Sequence, residues 1–432
     1  MIKILFTTPI LEHPPVGGPQ LRIENSIKAL NLISELHVIS RVPMHLIGGV
    51  DAEIFYRSIS NEFGYSPNAH YCSSNLFEKI ANYRFKIKLN LINKFLNLPF
   101  KSYNRIYNSF FKKNKPFDVN EDADYIIKYV NNNNIDIIWF GYGNISYELM
   151  KSVKLALPHV KMVCDTDSVW SRFVLRELDV EDDPHRRQRI EEEGRKKEVE
   201  EKDWAGFMDV TTAVSEVDAE YYRSIATDKN RIHVFSNVID TDTYKGSYIK
   251  PEGFKRPCIY LAGSFGHDNS PMDRAAMWVV EEIYPIVKKS MPEISFYIIG
   301  RNSERLIGRI DDDSIRVIGK VDSVLPYLCN ADVSLVPLKF ESGTRFKILE
   351  AGACGIPIVS TTLGAEGIPL THNFNILIAD TPEDFANAII RLIKDEKFAQ
   401  FLARNCKKLI EENYSVNYLV KEGQDIIKFL KQ

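Results

Sequence analysis

Arg345, Lys347 and Glu350 follow the Ser342-Gly343-Thr344 turn within nine residues, and these residue types together suit the binding of an anion. Arg and Lys bring positive charge, and the glycine allows a tight backbone turn. A helix beginning here offers unpaired N–H groups and the positive end of its dipole. A strand, a Gly loop and a helix opening with basic residues form a natural phosphate site. The stretch runs for 28 residues, from Phe340 to the second Gly-rich loop, Gly364-Ala365-Glu366-Gly367.

These residues need a strand behind them and a helix in front. Asp332 to Leu338 is an apolar run that reads as a buried strand, with Lys339 to Thr344 as the loop leaving it. Arg345 to Ala353 reads as a short helix and Ile356 to Thr361 as the next strand. Elsewhere, strands are expected at Ile2 to Thr8, Glu35 to Ser40, Ile135 to Phe140, Val160 to Cys164, Asp209 to Ala213, Cys258 to Ala262, Ile294 to Ile299 and Ile315 to Gly319. Helical patterns alternate with them, at Ile23 to Ser34 and at about Asp273 to Lys289. This alternation predicts an α/β protein with helix-covered parallel sheets. In such sheets ligands bind at the carboxyl ends of the strands. The loops Gly141-Tyr142-Gly143, Asp165-Thr166-Asp167 and Gly263-Ser264-Phe265-Gly266 occupy those positions. Ser215 is expected to cap a helix by accepting the N–H of Asp218.

At 432 residues the chain calls for two domains. A break in the apolar pattern near Lys245 to Pro257 divides it into residues 1–250 and 251–415, with a last helix in 416–432 free to pack on either. The formal net charge of −3 gives no global case for nucleic-acid binding. The opening MIKILFTTPIL reads as a buried strand, not a signal peptide, and no apolar run is long enough to span a membrane. Six scattered cysteines without a CxxC pair read as reduced thiols in a cytoplasmic protein. No Asp/His cluster suggests a metal.

Two segments stand apart by charge. Asp179 to Trp204 reads as a long, solvated connecting helix with ion-pair spacings such as Glu192 to Lys196. Residues 77–115 carry ten Lys or Arg against a single acid, Glu78, interleaved with aromatics such as Phe85, Tyr103 and Phe110. Three readings stay open for it: helices turning the aromatic stripe inward, contact with an anionic membrane surface, or stacking on RNA without a recognition module.

Several spaced motifs together resemble the nucleotide-sugar-dependent glycosyltransferases of the GT-B type, specifically the retaining group called family 4 or the glycosyl transferases group 1 family. The resemblance is strongest from Phe265 to Gly367, over Ser342-Gly343-Thr344-Arg345-Phe346-Lys347-Ile348-Leu349-Glu350, Gly355-Ile356-Pro357 and Gly364-Ala365-Glu366-Gly367. Gly17-Gly18, Val214-Ser215-Glu216, Asn237-Val238-Ile239-Asp240 and Asp268-Asn269-Ser270-Pro271 extend it.

The resemblance implies two Rossmann-like domains facing a central cleft and transfer of a sugar from a UDP- or GDP-sugar to a hydroxyl of a glycan or lipid-linked acceptor, with retention. It implies no required cofactor beyond that donor; the expected location is cytoplasmic, with residues 77–115 as the candidate contact with the inner face of the cell membrane. Glu350 would accept the ribose hydroxyls, Arg345 and Lys347 would neutralise the diphosphate, and Gly17, Gly18, Gly266, Ser342, Gly343 and Thr344 would line the donor. The family commonly sets an acid seven residues before the later glutamate; Ser342 stands there, with Glu341 one residue earlier. Glu341, Asp165 and Asp167 are therefore the candidate catalytic acids, Asp165 or Asp167 serving the acceptor or the reacting sugar unless they cap the helix near Trp170 to Leu175. His13 is placed near the sugar and His267 near the phosphate, with simple loop histidines as the other reading. The alternatives are a nucleotide-sugar C2 epimerase and a noncatalytic partner subunit.

Overall fold

The computed structural model describes residues 1–70, 119–266 and 270–432. The basic segment 77–115, Cys72, His267, Asp268 and Asn269 lie outside the described residues.

The chain forms two compact units: Met1–Pro14 with Ser34–Met162, and Pro15–Ile33 with Val163–Gln432. In the first, β1 (Lys3–Thr8), β2 (Glu35–Ser40), β3 (Glu62–Tyr65) and β4 (Ile137–Gly141) lie parallel in the order β3-β2-β1-β4. Ile4 faces Leu36 on one side and Ile137 on the other, all buried. Arg41, just past β2, is buried in this unit with its guanidinium on Ser146 Oγ at 2.6 Å, and burial pushes its pKa down to about 10 against the opposing charge of Asp122.

The unit boundary falls inside β5 (Lys161–Asp165). In the second unit β6 (Val210–Ala213) pairs with β5 and with β7 (Ile232–Val234), again in parallel. A further parallel sheet holds β8 (Cys258–Ala262), β9 (Ser295–Ile299), β10 (Ile315–Gly319), β11 (Val333–Val336), β12 (Ile358–Ser360) and β13 (Leu377–Ile378) in the order β10-β9-β8-β11-β12-β13. Cys258-Ile259-Tyr260-Leu261 and Ser295-Phe296-Tyr297-Ile298-Ile299 are buried throughout, which is why these strands read as continuous apolar runs and not as alternating ones. Parallel pairing sends every loop of functional interest to the carboxyl ends. The architecture is α/β with two parallel sheets, as the alternation of strand and helix patterns predicts.

Three helices depart from the sequence expectation, and a fourth settles a packing it left open. The first starts at Gly18 instead of Ile23 and runs to Asn31, because Pro19 suits a first helical turn, so Gly17 and Gly18 form a helix start and not a free loop. Pro184–Phe207 is capped by Asp183, which accepts from Arg186 N at 2.7 Å. It is more than a solvated connector. Glu201 and Trp204 are fully buried, and Glu201 accepts from Ser171 N at 2.9 Å and Tyr221 Oη at 2.7 Å. The helix expected from Asp273 to Lys289 is interrupted by a π segment, Val279–Ile283, between Pro271–Trp278 and Tyr284–Ser290. Pro285 lacks the N–H that would continue the ladder. The last helix, Val416–Leu430, packs on Gly18–Asn31: Gly423 leaves room for Leu30 and Ile33, and Glu422 accepts from Ser236 N at 2.7 Å. Among the described residues no helix is long and apolar enough to cross a membrane.

Candidate active site

β11 delivers the loop that ends in the Phe346–Cys354 helix. Gly343 has φ +80, and a Cβ there would stand 2.7 Å from the Asp167 carbonyl oxygen and 3.2 Å from Ser168 Cβ. Only glycine allows that backbone twist and that approach, so Gly343 is what brings the 340s loop against the loop following β5. Ser215 does cap its helix, accepting from Asp218 N at 3.2 Å. A Cβ on Gly367 (φ +84) would lie 2.9 Å from Thr344 Cγ2 and 3.0 Å from Ser215 Oγ, which fastens the same loop from its other side.

The sequence reading sets Arg345 against a diphosphate, and in the structure the residue lies within its own loop. It is 5% exposed, and its Nη1 donates to the Ser342 carbonyl at 2.8 Å and to the Gly343 carbonyl. Its Nε and Nη2 are buried without a partner, as are Ser342 Oγ and Thr344 Oγ1. Burial lowers the Arg345 pKa while the charges of Glu341, Glu366 and Asp218 support the cation. Arg345 thus holds the shape of the loop from inside, since short side chains and carbonyls surround it on its own turn.

Arg176 fastens the loop from outside. Nη1 donates to the Glu341 carbonyl at 2.7 Å, and Nη2 reaches both oxygens of Glu366 at 3.0 and 2.7 Å. The Glu341 carboxyl is raised, chiefly by burial and further by Asp167, against the opposing pull of Arg345 and Lys347. Two of the three candidate acids, Glu341 and Asp167, therefore feel each other across the Gly343 contact. The third does not join them. Asp165 is fully buried behind the loop in an ion pair with Arg22 and accepts from Thr212 Oγ1 at 2.7 Å. Arg22 also donates to the Phe235 carbonyl at 3.1 Å and to Asn237 Oδ1 at 2.8 Å. Asp165 ends β5, so its side chain enters the sheet interior where the Arg22 cation compensates it.

On the helix, Lys347 and Glu350 are half-exposed, one turn apart. A Cβ on Gly263, at the end of β8, would meet Lys347 Cε at 3.1 Å, so the lysine stem lies over that backbone. Burial lowers the Lys347 pKa against the pull of Glu341 and Glu350. The Glu350 carboxyl is raised by burial, opposed by a hydrogen bond from Tyr244 Oη to Oε1 at 3.2 Å and by the Lys347 charge. Gly18 abuts the Phe346 ring, and Gly17 caps the Gly18–Asn31 helix. The Gly266 carbonyl accepts from Arg305, and Gly266 itself is exposed. His13 stacks on Phe55 in the first unit, with ring centroids 3.5 Å apart. Tyr244, Arg176 and Arg22 escape the sequence reading, as does the buried carboxyl of Asp218, whose N–H alone is expected at the Ser215 cap. Tyr244 lies only four residues beyond the Asn237-Val238-Ile239-Asp240 motif, but nothing local distinguishes it.

In sum, the site offers a lysine and a tyrosine-held carboxylate on one helical turn beside two adjacent acids, a set able to take a phosphate and hydroxyls together. Residues 256–395 match the family model for glycosyl transferases group 1. A protein of the cps region of Klebsiella pneumoniae, itself uncharacterised, is 29% identical over 147 residues, 32% of this chain; the chain spans only 38% of that relative. Among solved structures, sucrose-phosphate synthase from Thermosynechococcus elongatus shares the fold with a TM-score of 0.67 at 13% identity, over 100% of this chain and 99% of the other. Anabaena HepE in complex with UDP and glucose shares it with a TM-score of 0.61 at 11% identity, over 99% of this chain and 100% of the other.

Proposed function

We propose, from the match of residues 256–395 to the glycosyl transferases group 1 family model, that this chain is a glycosyltransferase using a nucleoside-diphosphate sugar. The carrying observation is the turn of helix that sets Lys347 beside a Glu350 carboxylate held by Tyr244. An ionised carboxylate accepts both hydroxyls of a ribose, and the lysine ammonium meets the diphosphate one turn away. Ser342, Gly343 and Thr344 present backbone to the donor sugar, with Gly17, Gly18 and Gly266 as further close-approach positions. Positive charge concentrated at the departing diphosphate stabilises the leaving group. Asp167 and Glu341 are the acids at the reacting sugar: Asp167 aligns the acceptor hydroxyl and Glu341 a donor hydroxyl. Asp165 acts through Arg22 on the position of the loop. The reaction is a hexosyl transfer with retention to a glycan or lipid-linked hydroxyl, and the donor is a UDP- or GDP-sugar with no further cofactor.

The test is incubation of the purified chain with a panel of UDP- and GDP-sugars and glycan or lipid-linked acceptors, with product anomers read by NMR. Transfer that Glu341→Gln reduces by about a hundredfold or more, with nucleotide affinity kept within threefold, is expected. Donor binding without transfer or hydrolysis would favour a noncatalytic partner subunit, the reading that Ser342 in place of an acid suggests. Epimerised nucleotide sugar in the absence of acceptor would favour the C2 epimerase.

A further inference from the structure

Cys329 and Cys354 place their sulfurs 3.1 Å apart in a thiol–thiol hydrogen bond. Cys354 is the last residue of the Phe346–Cys354 helix, and Cys329 caps the short Leu325–Leu328 helix. Both are half-exposed, whereas Cys164, Cys258 and Cys406 are buried. The buried thiols are poor nucleophiles: burial pushes Cys258 and Cys406 up to about 12 and Cys164 well above its ordinary value. Cys329 moves the other way, lowered by the hydrogen bond with Cys354 and by the Lys407 cation against desolvation, while Cys354 is raised by that same hydrogen bond and by burial, so Cys329 is the attacking thiol of the pair. Lys407 lies beside the same helix end, where a Cβ on Gly355 would stand 3.8 Å from its Cδ. A half-buried thiol of lowered pKa, a second thiol in contact with it and a nearby cation form a recognisable redox-reactive arrangement.

We propose that Cys329 and Cys354 form a reversible disulfide by exchange with a low-molecular-weight disulfide, and that the bridge regulates the site on the helix it tethers. The Cys329 thiolate attacks one sulfur of the small disulfide, forming a mixed disulfide and expelling one thiolate. Cys354 then loses its proton to solvent and attacks the Cys329 sulfur, forming the protein disulfide and expelling the second thiolate. Two protein thiols are oxidised and one small disulfide is reduced to two thiols.

The coupling to the site is short. Cys354 follows Glu350 by one helical turn, and Tyr244, which holds Glu350, feels the charges of both. A disulfide has its sulfurs at about 2.05 Å, so closing the bridge draws the helix end about 1 Å toward Cys329. Displacements of that size at a binding group alter its ligand contacts. This regulatory half rests on the nucleotide reading of Lys347 and Glu350; the bridge itself does not.

The experiment equilibrates the whole chain with oxidised glutathione, maps peptides under non-reducing conditions and titrates UDP calorimetrically before and after. A Cys329–Cys354 cross-linked peptide that dithiothreitol reverses is expected, absent in Cys329→Ser and Cys354→Ser and retained in Cys406→Ala. UDP should bind the oxidised chain about tenfold more weakly than the reduced chain, and Cys354→Ser should show no such response. Both thiols remaining free, or glutathione persisting on Cys329 without closure, would overturn the bridge. A cross-link with unchanged UDP affinity would overturn the regulation. A reduced chain that does not bind UDP at all would sink the nucleotide reading, and regulation with it, while the mapped bridge would stand.

Discussion

Arg176 grips both carboxylate oxygens of Glu366, at 3.0 and 2.7 Å, while its other terminal nitrogen holds the Glu341 carbonyl at 2.7 Å. One planar side chain thus joins the loop after β11 to the loop after β12, at the residue whose carboxyl is proposed to meet the donor sugar. A guanidinium serves this arrangement as an ammonium cannot, because the fork matches two acceptors in fixed directions.

Replacing Arg176 separates charge from geometry. Arg176→Lys keeps the cation but loses the fork, and Arg176→Ala loses both. Because the pair is partly exposed, at 18% and 22%, the stability loss should stay near 1–2 kcal/mol for alanine. Turnover should fall by about tenfold in both variants, since the Glu341 loop is what loosens. Thermal melting and steady-state kinetics report the two effects, and a lysine variant with full turnover would show that the fork does not position the loop.

Tyr244 and Glu350 should separate through their nucleotide affinities. Glu350→Gln exchanges an acceptor-only group for one that is half donor, and should weaken UDP binding by about tenfold or more. Tyr244→Phe leaves the carboxylate in place but frees it to rotate, so a smaller loss, about threefold, is expected. Wild-type affinity should also fall as pH drops through the raised Glu350 pKa, because the protonated carboxyl accepts fewer hydroxyls. Calorimetric titration of UDP across pH measures both, and equal affinities for wild type and Glu350→Gln would remove the ribose role.

Much of the fold was legible because buried parallel strands write themselves as apolar runs: Glu35–Ser40, Cys258–Ala262 and Ile315–Gly319 occur with the expected bounds. The short β3, β7 and β13 lack such runs. Within the site, Lys347 and Glu350 are visible as neighbours on one helical turn, but their supports are not. Arg176 and Glu366 lie 190 residues apart, and Tyr244 and Glu350 lie 106 apart, distances at which no local pattern signals a contact. The inward turn of Arg345 and the burial of Asp165 were hidden for the same reason: each depends on a partner or a backbone path that only the folded chain supplies.

Asp218 should leave a mark on stability against pH. It is 2% exposed and burial raises its carboxyl from 3.8 to about 6, opposed by the Ser215 hydrogen bond and by Arg172. The folded chain therefore holds this proton more tightly than the unfolded chain does. The corresponding stability is fully present below about 3.8 and is lost as pH rises through about 6. Asp218→Asn removes the titration, so its stability relative to wild type should improve by about 1 kcal/mol between pH 5 and pH 7.5. Urea unfolding at the two pH values is the measurement; a constant difference between the two proteins would mean that Asp218 does not titrate in this window.

Gly18 and Phe346 offer the most direct test of how the helix start of residues 18–31 supports the site. A Cβ at Gly18 would stand 2.8 Å from Phe346 Cδ2, too close to be tolerated without movement of the ring. Phe346 directly precedes Lys347 and opens its helix, so a displaced ring shifts the lysine with it. Gly18→Ala should cost about 1–3 kcal/mol and weaken UDP binding. A smaller neighbour should relieve the clash: in Gly18→Ala with Phe346→Leu, the two changes should couple by about 1 kcal/mol, so that the double variant is more stable than the sum of the singles predicts. Additive losses would mean that the ring swings aside freely, and that Gly18 is needed for its place at the helix start and not for the approach of Phe346.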